Sequence, residues 1–201
     1  SEAVFAQLGP QGRDLLLYNW DILARPAQLA PLGDWLSWVL LGGRGMGKTR
    51  AGAEWVRQRV KSGEAQRIAL VGKTPADVRD IMIEGPSGII TITPPKERPH
   101  YEPSKRRLVW PNGAVAHAFT SYAPDQLRGP QFDTAWSDEL ASWMYPIETW
   151  QNLQLALRLG THPRQVITTT PRPIKILRDL LKDPDTVISR GSTYDNRNNL
   201  P

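Results

Sequence analysis

Apolar residues along this chain fall into short continuous runs separated by amphipathic stretches, the pattern of buried parallel strands alternating with helices. Residues 11–24 carry Leu15, Leu16, Tyr18, Ile22 and Leu23 at helical spacing, and Pro26, Pro31 and Gly33 then make a loop. Trp38-Val39-Leu40-Leu41 is an uninterrupted apolar run and predicts a strand buried on both faces. Residues 48–62 predict a helix that packs through Ala51, Ala53, Trp55, Val56 and Val60. Ile68-Ala69-Leu70-Val71 predicts a second buried strand, and Thr74 followed by Pro75 opens a helix over about residues 75–84.

Proline and charge dominate residues 85–105, which predicts an exposed connection. Arg107-Leu108-Val109-Trp110 and Ala114 to Phe119 flank Pro111-Asn112-Gly113, and Asn-Gly is a strong turn signal, so an antiparallel hairpin insertion is expected. Phe132 to Trp136 predicts a strand, Pro146 to Leu159 a helix stopped by Gly160, and Arg164 to Thr170 another strand. A helix over Ile174 to Leu181 and a strand over Thr186 to Ser189 follow. There is no internal repeat. The alternation implies an α/β fold with a mostly parallel central sheet covered by helices on both faces. Residues 1–194 form one expected domain, and the polar stretch 195–201 reads as the start of a linker.

With 201 residues and 40% hydrophobic positions, the chain can build one ordinary core. No apolar run approaches the roughly 20 residues that span a bilayer, and no secretory signal opens the chain, so a soluble protein without a membrane partner is expected. Cysteine is absent, which excludes disulfides and thiolate metal sites. A net charge of +5 suits a polyanionic partner but does not identify one. His100, His117 and His162 lack metal-ligand spacing. Lys96, Lys105, Arg106 and Arg107 form a basic stretch for which a solvated face is the default.

Gly42-Gly43-Arg44-Gly45-Met46-Gly47-Lys48-Thr49 satisfies G-x-x-x-x-G-K-[ST] between a predicted strand and a predicted helix. Glycines let such a loop curl so that its main-chain N–H groups converge on phosphate oxygens, and the helix adds its positive end. A P-loop NTPase fold follows. Lys48 is expected to reach the β- and γ-phosphates of ATP, and the Thr49 hydroxyl to take a Mg2+ position. Residues Gly43, Arg44, Gly45, Met46, Gly47, Lys48, Thr49 and Arg50 are the expected nucleotide-binding set. Gly72-Lys73-Thr74 looks like a second copy, but Arg67 stands where its first glycine is needed.

Asp138-Glu139 stands at the expected carboxyl end of a strand, where parallel α/β sheets bind ligands. Asp138 is positioned to hold Mg2+, and Glu139 to orient and deprotonate the attacking water. A carboxylate base beside the γ-phosphate favours an ATP hydrolase over a kinase, which must exclude water. Asp133 competes as a metal ligand but lies at the strand's beginning.

These motifs together resemble the large terminase subunits of tailed phages and gene transfer agents. The resemblance runs through Trp35 to Trp55, Gln126-Leu127-Arg128-Gly129-Pro130-Gln131-Phe132-Asp133, Trp136-Ser137-Asp138-Glu139 and Thr168-Thr169-Thr170-Pro171, in that order. It implies the ATPase motor domain of a DNA-packaging machine, which in that family precedes a nuclease domain and works as a ring on the portal. Double-stranded DNA, portal protein and a small terminase subunit are the implied partners. The implied setting is the cytoplasm of an infected bacterium, with transient docking on the procapsid and a monomeric state for the chain alone. Arg44 resembles a cis-acting phosphate-loop arginine, and Arg128 resembles an arginine finger offered to a neighbouring subunit. Thr168, Thr169 and Thr170 resemble the motif that couples the γ-phosphate to movement, and Gln28 resembles the adenine-reading glutamine. On residue type alone, Arg128 is equally an ordinary loop arginine, Gln28 a surface glutamine, and the threonines good strand formers. Three other readings stand beside this one. They are a helicase-like nucleic-acid-remodelling ATPase, a small-molecule kinase, and an assembly subunit that binds ATP without turnover.

Overall fold

A computed structural model of the chain describes residues 17–191 together with Gly9 and Gly12. Eight strands form one sheet: β1 (Ser37–Gly42), β2 (Arg67–Gly72), β3 (His100–Glu102), β4 (Arg107–Val109), β5 (Val115–Thr120), β6 (Thr134–Asp138), β7 (Arg164–Thr169) and β8 (Thr186–Gly191). Their order across the sheet is β3-β4-β5-β2-β6-β7-β1-β8. Pairing is parallel from β5 to β8, and antiparallel only between β3, β4 and β5.

Side chains on successive strand residues point to opposite faces, and this sheet buries both. Trp38, Leu40, Ile68, Leu70, Trp136 and Val166 pack on one face with Ala51, Trp55 and Val56 of α1 (Lys48–Ser62). Val39, Ala69, Val71, Ala135 and Ile167 point the other way. They meet Leu153 of α3 (Pro146–Ala156) and Ile176, Leu177 and Leu180 of α4 (Lys175–Leu180). Burial on both faces is why these strands read as continuous apolar runs rather than alternating ones.

Four expectations differ from the structure. The predicted helix at 11–24 breaks at Asn19, whose side chain accepts from the Asp21 amide and caps a separate turn, Trp20–Leu23. Ile22 and Leu23 are about half exposed there, and residues 10–11 and 13–16 lie outside the described residues. The helix at 75–84 starts at Thr74 as expected, through a capping box with Asp77, but only Pro75–Asp77 (α2) is α-helical; Val78–Ile83 winds as a π-helix. The stretch 85–105 is more than an exposed connection: Ile89–Ile92 is a short helix with Ile89 and Ile92 buried, and β3 follows it. α3 stops at Ala156 rather than Leu159, because the chain turns to run beside Phe132, whose amide donates to the Ala156 carbonyl. The expected antiparallel hairpin is present, and it extends the main sheet, since β5 is also a parallel neighbour of β2. The expected linker at 195–201 lies outside the described residues.

Candidate active site

β7 lies between β1 and β6, so the carboxyl ends of all three share one edge of the sheet. The register places Leu41 beside Thr169 and Asp138 beside Thr168. The glycine loop leaves β1 at this edge and enters α1 through Gly47, in the left-handed region at φ 78°. A Cβ on Gly47 would also collide with the Gln28 amide, so both backbone angle and space require glycine. Met46 is buried against Gly42 and Gly191, where neither residue has a side chain to obstruct it.

Lys48 is buried, and its ammonium donates to the carbonyls of Gly42 at 2.9 Å and Gly43 at 3.0 Å. The same ammonium lies 3.5 Å from Glu139 Oε1, which brings the loop and the acidic pair together. Glu139 Oε2 accepts from the Thr170 hydroxyl at 3.0 Å. Its backbone is in the left-handed region at φ 47°, and its amide donates to the Thr168 carbonyl at 2.6 Å. A non-glycine residue in that conformation costs roughly 1–2 kcal/mol, and such strain concentrates where function needs a side chain aimed one way.

Asp138 is buried and accepts on Oδ1 from the Thr168 hydroxyl at 2.6 Å. Burial pushes its carboxyl up to about 7; the Thr168 hydrogen bond and Lys48 pull down, and Glu139 pushes further up. Trp143 Nε1 holds the Asp138 main-chain carbonyl at 3.0 Å. Thr169 is buried and its hydroxyl accepts from the Ala141 amide at 3.0 Å, fixing the loop that follows the acids. Among the described residues, no group of three or more His, Cys, Asp or Glu side chains could hold a metal ion. One buried carboxylate with a nearby hydroxyl suits a cation bound chiefly through substrate phosphates.

The other expected site residues fall in different surroundings. Gly43, Gly45 and Thr49 are half-buried in the loop and its first helical turn, and Arg44 is exposed. Arg50 pairs with the buried Glu54 at 2.8 Å and stacks over Trp20, 5.4 Å from its ring centre. Gln28 is buried against the loop, donating to the carbonyls of Met46 and Gly47 at 3.3 Å each. Arg128 is 70% exposed on the connection from β5 to β6, held by Asp125 at 3.2 Å and Asn152 at 3.4 Å, and makes no hydrogen bond or ion pair with Lys48, Asp138 or Glu139. Asp133 does not join the site either; its Oδ2 accepts from the amides of Gln66 and Arg67 at the opposite edge. Two contacts that support the site were not foreseen from the sequence. Arg25 donates to the Met46 carbonyl, and Trp136 donates to Thr168 from inside the core.

A family profile described as "Terminase large subunit, T4likevirus-type, N-terminal" matches residues 39–188, most of the chain, including Lys48, Asp138, Glu139, Thr168 and Thr170 but not Arg25 or Gln28. The chain belongs to this terminase family. Solved structures agree on the fold. The large terminase ATPase domain of Thermus phage P74-26 matches with a TM-score of 0.69 at 15% identity, covering 96% of this chain and 90% of that one. The large terminase of another thermophilic bacteriophage, in complex with ATP-gamma-S, matches with a TM-score of 0.66 at 16% identity, covering 92% of this chain and 45% of that one. The N-terminal domain of the bacteriophage phi29 DNA-packaging ATPase matches with a TM-score of 0.56 at 16% identity, covering 90% and 98%. A comparison with curated protein sequences finds no match.

Proposed function

We propose that this terminase chain is a Mg2+-dependent ATP hydrolase that drives double-stranded DNA into a procapsid. The convergence of Lys48, Asp138 and Glu139 on one sheet edge, with Lys48 Nζ 3.5 Å from Glu139 Oε1, carries the reading. The main-chain amides from Gly43 to Thr49 receive the phosphates, and Lys48 exchanges its carbonyl and carboxylate partners for phosphate oxygens. Thr49 and Asp138 are the residues that would hold Mg2+. Their hard oxygens are the right donor type, and a dry carboxylate with a raised pKa is the kind of group a cation keeps ionised. When bound, the ion neutralises charge on the β- and γ-phosphates.

Glu139, freed as Lys48 turns to the phosphates, orients the attacking water and accepts its proton; Thr170 keeps the carboxylate aimed meanwhile. Thr170 also follows directly on β7, so a change at the γ-phosphate is passed to the strand between the loop and the acids. Gln28 reads adenine from its place beside the loop, Arg44 acts in cis, and Arg128 is presented to a neighbour's site in a homo-oligomeric ring. The thermophilic-phage large terminase has been solved with ATP-gamma-S and with ADP, which supports nucleotide binding here. A further structural match, the bacteriophage Phi-29 viral genome packaging motor assembly, supports a place within a packaging motor. Portal protein and a small terminase subunit are the partners proposed for that setting.

Phosphate release by the wild-type chain, Lys48→Ala and Glu139→Gln tests this. Glu139→Gln should slow turnover by about 10²–10⁴-fold while nucleotide still binds. Undiminished release from Glu139→Gln would remove Glu139 as base.

A further inference from the structure

Trp136 sits in the middle of β6, wholly buried, and one strand residue separates it from Asp138. Its indole nitrogen can only donate, and it donates to Thr168 Oγ1 at 2.9 Å. A hydroxyl that has accepted one hydrogen bond still has a single proton to place. Its nearest acceptor is Asp138 Oδ1 at 2.6 Å, with the Ser137 carbonyl a longer 3.3 Å alternative. The direction of the chain is therefore fixed from Trp136 through Thr168 to Asp138. The same indole is pressed against the phosphate-loop helix. A Cβ placed on Gly52, one turn after Lys48, would lie 2.5 Å from Trp136 Cε2 and 2.6 Å from its Nε1.

We propose that Trp136 is a positioning residue for the Asp138 carboxylate, acting through the Thr168 hydroxyl and set in place by the close approach of α1 at Gly52. Both ends of the cation site then share one rigid body: Thr49 rides on α1, and Asp138 is oriented by a ring that rests on α1. Groups that orient a ligand by hydrogen bonding weaken metal affinity by 10–100-fold when removed. The proposal rests on the reading of Asp138 as the Mg2+-holding carboxylate.

The test measures binding of ATP-gamma-S to the full 201-residue chain as Mg2+ is raised, with a parallel titration in EDTA. Trp136→Phe keeps an aromatic ring on β6 but lacks the N–H, and it should raise the half-saturating Mg2+ concentration by roughly 10-fold with less than a two-fold change in EDTA. Thr168→Val should do the same, Thr168→Ser should restore wild-type behaviour, and the double variant should be no worse than Thr168→Val alone. The indole N–H resonance of Trp136 should move in Thr168→Val and not in Thr168→Ser, a readout independent of any ligand. Additive effects in the double variant, equal losses with and without Mg2+, or an unmoved indole resonance would overturn the proposal. If Trp136→Phe does not fold, the Thr168 pair and the resonance decide the matter. Absence of Mg2+-dependent nucleotide binding in the wild type would instead remove the underlying reading of the site.

Discussion

Among the described residues, Asp138 sits in an environment that opposes its charge. It is buried, holds one side-chain hydrogen bond at 2.6 Å, and has a carboxyl pushed up to about 7 by burial. With the folded value raised above the unfolded 3.8, the folded state binds the proton more tightly. Its contribution to stability is then full below about pH 4 and is lost as pH rises through 7. Asparagine carries no such penalty. Asp138→Asn should match the wild-type thermal midpoint near pH 4 and exceed it by several degrees at pH 8, at about 2–4 °C per kcal/mol for a chain of this size. The same change should abolish the Mg2+ enhancement of nucleotide binding. A midpoint difference that does not grow with pH would show that the carboxylate is not strained by burial. Glu139 carries a cost of a second kind, backbone strain at φ 47° that keeps it beside Lys48 and Thr170.

At the scale of elements, α1 joins the loop to the core through Gly52. Gly52→Ala improves helix propensity by about 1 kcal/mol, but it drives a methyl into the Trp136 ring, where overpacking costs about 1–3 kcal/mol. Overpacking should win, so thermal denaturation should show a lower midpoint than wild type; a raised midpoint would mean that the ring moves freely. The elements also show what sequence could and could not reveal. The loop at 42–49 and the pair at 138–139 were legible because their chemistry is written in contiguous residues at the ends of apolar runs. Thr168 and Thr170 were legible only through family likeness, since which acid each would meet depends on β7 lying between β1 and β6. The hydrogen bonds made by Arg25 and Trp136 were not legible, because they join residues 21 and 32 positions apart. Asn19 ended a helix that periodicity alone extended, as a side chain that competes for backbone amides will do. Buried Ile89 and Ile92 were hidden among prolines whose loop signal is stronger than that of a four-residue helix.

Lys48, Asp138 and Glu139 meet at one edge of the sheet, while Arg128 is 70% exposed on the β5–β6 connection with Asp125 and Asn152 as its partners. That exposure suits an arginine that serves a neighbour. Arg128→Ala should lower assembled ATPase activity by roughly 10³-fold or more, in the range such arginines supply. Mixing it with Lys48→Ala chains should recover part of the loss, because each protein provides what the other lacks; full activity of a dilute, monomeric Arg128→Ala chain would exclude action across subunits.

If the glycine loop and the two acids surround one triphosphate, nucleotide affinity must depend on both. Calorimetric titration of ATP-gamma-S into the wild-type, Lys48→Ala and Asp138→Asn chains, with and without Mg2+, tests this most directly. The expected result is a single site per wild-type chain that tightens with Mg2+, a loss of binding in Lys48→Ala, and binding indifferent to Mg2+ in Asp138→Asn. Nucleotide uptake unaffected by both substitutions, or none by the wild type with Mg2+ present, would contradict it.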